Sequence, residues 1–400
     1  MNRTSNDPYQ YDNFDYVDMD ISSESDSEEL EVILIEEELL QDPLMFLPEE
    51  IALEIFSYLS AREILDAGIV SKNWRRVSSD NSLFPIFFKK ILPVTANHYS
   101  KKELKKNLYD KTVAFQTNLE DPKFLPNVKT FDRHEGFVTF LKVREGKLFS
   151  ASENDLKIFN IKTQKEENKI NHSVIRTIEL IGENIYIGDR LQGRITKMSR
   201  CGEVERQVHF KSSAVFFLKK GPQGLYGRSS DGIQSFDLEL NPTHTIFDEG
   251  NPISLAISQT SLFTGGSSGI ASFDIERLEE THRFEYPTFG RNIESLDNQV
   301  YALIDGPNGV VGQLDFRSNQ LNTLFYLPGY KSFGLIQILE NKLLVDYLGQ
   351  VWVSDLRTSH ILNKIPLGGD GEQDRITALY ANGESIFAGK KSGDIYQIEF

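Results

Sequence analysis

Seven histidines, at positions 98, 134, 172, 209, 244, 282 and 360, are the side chains best suited to moving protons near neutral pH. They are scattered along the chain, and each reads as a surface or turn histidine. There is no nucleophile elbow, glycine-rich phosphate loop or metal-spaced cluster. The single cysteine, Cys201, leaves no internal disulfide framework and no cysteine-rich zinc site, and it fits a reducing compartment. No catalytic residue, metal or cofactor is assigned on these grounds, and the chain is expected not to be an enzyme. The remaining chemistry is non-covalent. The stretch "LPEEIALEIFSYLSAREIL", residues 47–65, carries more large apolar side chains than one helical face needs.

The elements around that stretch follow from local signals. Pro48 suits a first helical position, and Glu49 and Glu50 stand at the positive end of the helix dipole. Ile51, Ile55 and Leu59 recur every four residues on one face. Ser60 and Glu63 form a capping box that starts a second helix. A third helix carries Val70, Trp74 and Val77 on one face, with Lys72, Arg75 and Arg76 on the others. Three short helices enclose little core, which favours docking onto something else. Leu47, Pro48, Ile51, Ile55 and Leu59 are therefore expected to face a partner. Phe56, Ile64 and Leu65 are expected to hold the bundle together.

Charge is distributed unevenly. The net charge is −16, and residues 1–42 carry 14 Asp/Glu against one basic residue, Arg3. This segment is too polar to bury a core and is expected to be a disordered acidic tail. Within it, Val32, Ile33, Leu34 and Ile35 form an apolar island with acidic flanks. The island reads either as the start of a helix or as a strand-adding peptide for a sheet edge. In the second form it resembles SUMO-interacting motifs. Ser23 and Ser25 each have an acid three residues on. The modest basic cluster between Lys72 and Lys111 is too small for a duplex-binding surface. No apolar run approaches a membrane span, and the start is too polar for a signal peptide. Neither nucleic acid nor membrane is an expected partner.

Past residue 90 a second capping box, Ser100 with Glu103, opens an amphipathic helix that runs to about 117. Residues 91–127 read as a helical linker. From about 130 the periodicity changes to short apolar runs between turns. "SSDGIQSFD" (229–237) and "GSSGIASFD" (266–274) nearly repeat, and five further segments share their form. Aligning the last two residues of each gives 159–160, 198–199, 236–237, 273–274, 314–315, 354–355 and 398–399. The intervals are 39, 38, 37, 41, 40 and 44 residues, close to the roughly 40–45-residue blade of a WD-repeat propeller. Two further apolar runs precede each dipeptide. Small residues at Ser150, Gly188, Gly265 and Gly389 are expected to permit close packing near a central channel. "VKTF" (128–131) is expected to supply the last blade's missing outer strand and so close the ring.

The stretch "LPEEIALEIFSYLSAREILDAGIVSKNWRRVSSDNSLF" resembles an F-box. The matching residues are Leu47–Pro48, Glu50, Ile51, Ile55–Phe56, Tyr58–Leu59, Ile64–Leu65, Val70–Ser71–Lys72, Trp74–Arg75 and Leu83. Phe84 stands where the family often has Trp. With the repeats, residues 43–400 resemble F-box/WD-repeat proteins, the substrate receptors of SCF-type cullin–RING ubiquitin ligases. The resemblance implies an all-α F-box at 43–90, the linker at 91–127 and an all-β seven-bladed propeller at 128–400, after the acidic tail at 1–42. It implies that Leu47, Pro48, Ile51, Ile55, Leu59, Val70 and Trp74 bind a Skp-type adaptor, and that the propeller binds a target protein. Arginines that read acidic or phosphorylated targets in the family align with Arg176, Arg190 and Lys391, and Arg375 lies near the same rim. The repeats depart from the pattern: the Trp-Asp dipeptide survives only as Phe-Asp or looser forms, and only His134 stands near the usual Gly-His position. These losses put the usual internal hydrogen-bond network in doubt. The expected location is the cytoplasm or nucleus, or a host cytoplasm for a bacterial effector. The alternative reading is a propeller scaffold outside any ubiquitin ligase.

Overall fold

The computed structural model describes residues 44, 47–57, 67, 70–78, 115, 118–119, 121, 124, 126–172, 174–210, 214–229, 232–246, 252–266, 269–285, 290–296, 299–304, 308–328, 334–368 and 374–400. The acidic tail, the island 32–35, both capping boxes, and Tyr58, Leu59, Ile64, Leu65, Leu83 and Phe84 lie outside them.

Two helices are described in the N-terminal region. Helix α1 spans Glu49–Ser57, starting just after Pro48. Helix α2 spans Lys72–Ser78, where Ser71 Oγ accepts a hydrogen bond from the Trp74 N–H and caps the first turn. The cap explains why the helix begins at Lys72 and leaves Val70 outside it. Ala52, Phe56, Ala67 and Val77 are buried, and the Phe56 and Trp74 rings stand 5.5 Å apart. Val70 thus does not share α2 with Trp74 and Val77, as the spacing had suggested; it stands before the cap and is 65% exposed.

Seven four-stranded antiparallel sheets follow, and they make a closed seven-bladed propeller. Each blade runs outward from the channel in chain order, except the seventh. There the outer strand is Asn127–Phe131, which precedes blade 1 and pairs with Ile395–Glu399. The clasp expected from "VKTF" is thus present, and it gives blade 7 the same four strands as the other blades.

All seven aligned dipeptides fall at the end of a third strand, from Asp155–Asn160 in blade 1 to Ile395–Glu399 in blade 7. Their first residue fills the space between strands. Phe159, Met198, Phe236, Phe273, Leu314 and Ile398 are all buried there, each worth roughly 2 kcal/mol or more. Blade 6 alone places a serine, Ser354, in that slot. The second residue shapes the following turn. Oδ1 of Asn160 accepts from the Lys162 and Thr163 N–H groups, and Asp274, Asp315 and Asp355 repeat the pattern. These side chains hold turns whose later residue takes a positive φ, as at Gln164, Leu278, Asn319 and Ser359. That is why Asp or Asn survives where Trp does not.

Blade-to-blade packing is tight at the ends of the second strands. A Cβ at Gly389 would lie 2.4 Å from the Val138 side chain of blade 1. One at Gly188 would meet Thr177 at 2.6 Å and Val215 of blade 3 at 2.8 Å. The linker joins this core: Phe115 and Leu119 are buried in a cluster with Leu344, Ile365 and Ile398, and the Phe115 ring meets Phe400 edge-on at 5.1 Å.

Candidate interaction surfaces

Helix α1 has two apolar sides. Phe56 is fully buried and Ala52 nearly so, whereas Ile51 is 43% and Ile55 45% exposed. Ile51 and Ile55 are one turn apart and share a face. Pro48 is exposed beside them, while Leu47 and Trp74 are half-buried. Across the helix pair, Arg76 Nη1 reaches Glu49 Oε1 at 2.7 Å on the surface. So among the named adaptor-facing positions the structure brings Pro48, Ile51 and Ile55 together, adds an exposed Val70, and turns Trp74 partly onto Phe56.

The propeller gathers four other candidates on one rim. In blade 2, Arg176 lies in the inner strand Ile175–Ile181, and Arg190 follows the second strand Asn184–Asp189. The Arg190 N–H donates to the Val174 carbonyl at 3.0 Å, so the two segments meet at the same end of the blade. In blade 7 the Lys391 N–H donates to the Arg375 carbonyl at 3.0 Å, the same arrangement two blades away. Blade 1 lies between these pairs. Arg190 is exposed and bonded to Glu153 Oε1 at 3.1 Å. Arg176 is half-buried; burial pulls its pKa below the usual arginine value, Arg190 adds to that, and Glu153 opposes it. A second guanidinium kept this close, against desolvation, suits an anionic group from outside.

Near the blade 7 pair, Asp346 occupies the second-strand position that is Gly389 in blade 7, and it is buried. Burial pushes its carboxyl up to about 7, against the pull of Arg375, the Gly349 N–H and Lys390. Lys390 is itself fully buried, donating to the Gly368 carbonyl and to Asp374 Oδ2 at 3.1 Å. Neither group was singled out in the sequence. One buried ionisable residue beside a strand end looks like any other surface charge until its neighbours are placed.

Toward the channel, equivalent inner-strand positions carry Lys142, Glu179, Lys219, Ala256 and Glu294. Lys142 Nζ meets Glu179 Oε1 at 2.6 Å between adjacent blades. Lys219 instead reaches Glu294 at 3.2 Å two blades on, past the small Ala256.

The histidine reading needs one correction. His134 is 1% exposed, not a surface residue. Its Nδ1 lies 2.5 Å from Asp155 Oδ1 and its Nε2 2.8 Å from Ser150 Oγ. Ser150 is thus a hydrogen-bonding residue rather than only a small one. Ser152 Oγ also donates to Asp155 Oδ1, at 2.5 Å. Burial lowers the His134 pKa, and Asp155 only partly offsets that, so the imidazole is neutral with its Nδ1 proton toward the carboxylate. The doubt about the internal network is therefore resolved for blade 1, where it is intact. These three groups have the order of a serine nucleophile's triad, but Ser150 is fully buried and no acyl donor reaches it. The constellation ties the loop before blade 1 to its second and third strands. Among the described residues no group of three or more His, Cys, Asp or Glu is placed to hold a metal ion.

Comparison with known proteins agrees with both halves. An F-box-like family model matches residues 44–88. Among solved structures, the WD40 β-propeller domain of Doa1 superposes with a TM-score of 0.57 at 10% identity, covering 68% of this chain and 95% of that one. The computationally designed Ika8 protein superposes with a TM-score of 0.53 at 17% identity, covering 68% and 98%. No curated protein sequence matches the chain.

Proposed function

We propose that this chain, whose F-box-like domain and seven-bladed WD-type propeller make it an F-box/WD-repeat protein, is the substrate receptor of an SCF-type cullin–RING ubiquitin ligase. The reading rests on one observation above all: α1 completes its own packing with Phe56 and Ala52 and still presents Ile51 and Ile55 to solvent. A Skp-type adaptor covers that face, together with Leu47, Pro48, Leu59, Val70 and Trp74. The working units are the F-box at 43–90, the linker at 91–127 and the propeller at 128–400, placed in the cytoplasm or nucleus with the rest of the ligase.

The propeller rim then holds the target. Arg176, Arg190, Arg375 and Lys391 favour an acidic or phosphorylated segment, since guanidinium groups bind such oxygens in pairs. The chain makes and breaks no bonds. It raises the target's effective concentration beside the ubiquitin-loaded enzyme.

The test is co-purification of the full chain with a Skp-type adaptor. Recovery is expected from the unaltered chain and absent from the double variant Ile51→Asp with Ile55→Asp. Equal recovery from both would remove α1 as the docking face. On the rim, Arg176→Ala with Arg375→Ala is expected to weaken capture of a phosphorylated acidic peptide by roughly tenfold or more, with adaptor binding unchanged.

A further inference from the structure

The seven outer strands differ in how well their free edges are protected. Five carry acidic or basic side chains: Glu166–Asn171, Val204–His209, Glu280–Phe284, Ile361–Pro366 and Asn127–Phe131. A sixth, Pro242–Ile246, is five residues long and opens on proline. Charge, proline and shortness are the ordinary means of blocking a free edge. The outer strand of blade 5, Gln320–Pro328, has nine residues and no acidic or basic side chain, with proline only at its last position. One bulge interrupts its pairing, at Leu324 between Thr323 and Phe325. Its Tyr326 is 59% exposed.

At its Pro328 end the strand meets blade 6. The Tyr347 hydroxyl donates to the Pro328 carbonyl, and its ring stands 4.4 Å from Trp352. Leu348 is exposed on the same turn. Lys364 Nζ sits 4.1 Å over the Trp352 ring, which places a cation beyond the Pro328 end. At the other end, Arg317 is exposed in the turn that starts the strand.

We propose that the chain's own residues 31–36, "EVILIE", add to this edge as a fifth strand of blade 5. The match is in pattern. Val32, Ile33, Leu34 and Ile35 are the one uncharged aliphatic run of four in residues 1–43, and three of them are β-branched, which suits a strand. Glu28, Glu29 and Glu31 precede the run and Glu36, Glu37 and Glu38 follow it. Acidic flanks on both sides meet Arg317 at one end and Lys364 at the other in either strand direction. Main-chain pairing supplies the affinity, and the neutral edge accepts a neutral strand without burying an unpaired charge. The added strand caps an edge that would otherwise pair with other chains. This inference is independent of adaptor or target binding.

Hydrogen exchange on the full chain, read over residues 320–328, tests it. Exchange there is expected to be at least roughly tenfold slower than over Val204–His209, whose edge is open. Ile33→Asp with Ile35→Asp should bring the two rates together. Asn322→Lys with Tyr326→Lys, at exposed positions that leave the core intact, should speed exchange over residues 31–36. Fast exchange over 320–328 in the unaltered chain, or slow exchange that the Ile33 and Ile35 changes leave intact, would overturn the proposal. So would protection that rises with protein concentration, because the cover would then be a second copy.

Discussion

Isoleucine behaves in two ways in this protein. In the blades, Ile158, Ile187, Ile270 and Ile386 are buried, each held between neighbouring sheets. In α1, Ile51 and Ile55 stand in solvent although their neighbour Phe56 is fully covered. The side chains are alike, so the difference comes from architecture. A closed ring gives every blade a neighbour on both sides, which covers the apolar faces between them. Among the described residues α1 and α2 pack on each other, and one face of α1 is left over. The exposed isoleucines of the small unit are therefore the surface its proposed function puts to use, whereas the inter-blade isoleucines serve the fold.

Three substitutions test that contrast, in falling order of effect. Phe387→Ala removes a fully buried ring that packs with Phe131, Val138, Leu148 and Phe159 across the blade 7–blade 1 junction. It should cost about 4 kcal/mol, read as a lower midpoint in denaturant unfolding. Lys342→Met strands the buried Asp355 carboxylate, which Lys342 Nζ meets at 2.7 Å, and should cost about 3 kcal/mol. This second variant also carries a pH signature. Burial alone would raise the Asp355 pKa, but Lys342 and the Arg357 N–H and guanidinium hold it at about 2, below the ordinary 3.8. The stability from that depression is complete above the ordinary value and is lost as pH falls toward 2. In Lys342→Met the unfolding free energy should change less between pH 4 and pH 2 than in the parent. Ile51→Ala with Ile55→Ala sits at the far end. Unfolding should move by no more than about 0.5 kcal/mol. A loss above 2 kcal/mol would place these residues in a core and erase the distinction between the two regions.

The fold was legible where the physics is repetitive. Third-strand ends could be counted because most combine a bulky residue for the inter-sheet space with an Asp or Asn for the next turn, as Phe159–Asn160, Phe236–Asp237, Phe273–Asp274 and Leu314–Asp315 do. The clasp was legible because the final unit lacked an outer strand and "VKTF" preceded the first. Individual polar residues were not legible in this way. His134 looks like any loop histidine until Ser150 and Asp155, 16 and 21 residues on, fold back around it. Asp346 and Lys390 look like surface charges at strand ends, and only the packing of blade 6 against blade 7 buries them. Val70 was grouped by its spacing with Trp74 and Val77, yet the Ser71 cap starts their helix only at Lys72. Of the rim candidates, Arg190 and Lys391 hold equivalent positions in blades 2 and 7, whereas Arg375 takes the place of Val174 and not of Arg176.

The clasp also sets a timetable. Asn127 and its partner Glu399 are 272 residues apart in the chain. At about 5–20 residues per second, a ribosome needs roughly a quarter of a minute to a minute to cover that distance. Throughout that interval the strand Asn127–Phe131 has been made and its partner has not. Blades 1 to 6 can form in turn, but the ring stays open, and the linker waits as well because Phe115 and Phe124 pack on Phe400. The F-box-like segment is therefore complete well before the ring can close. Chains cut short anywhere before residue 395 would carry the F-box-like segment without a closed ring.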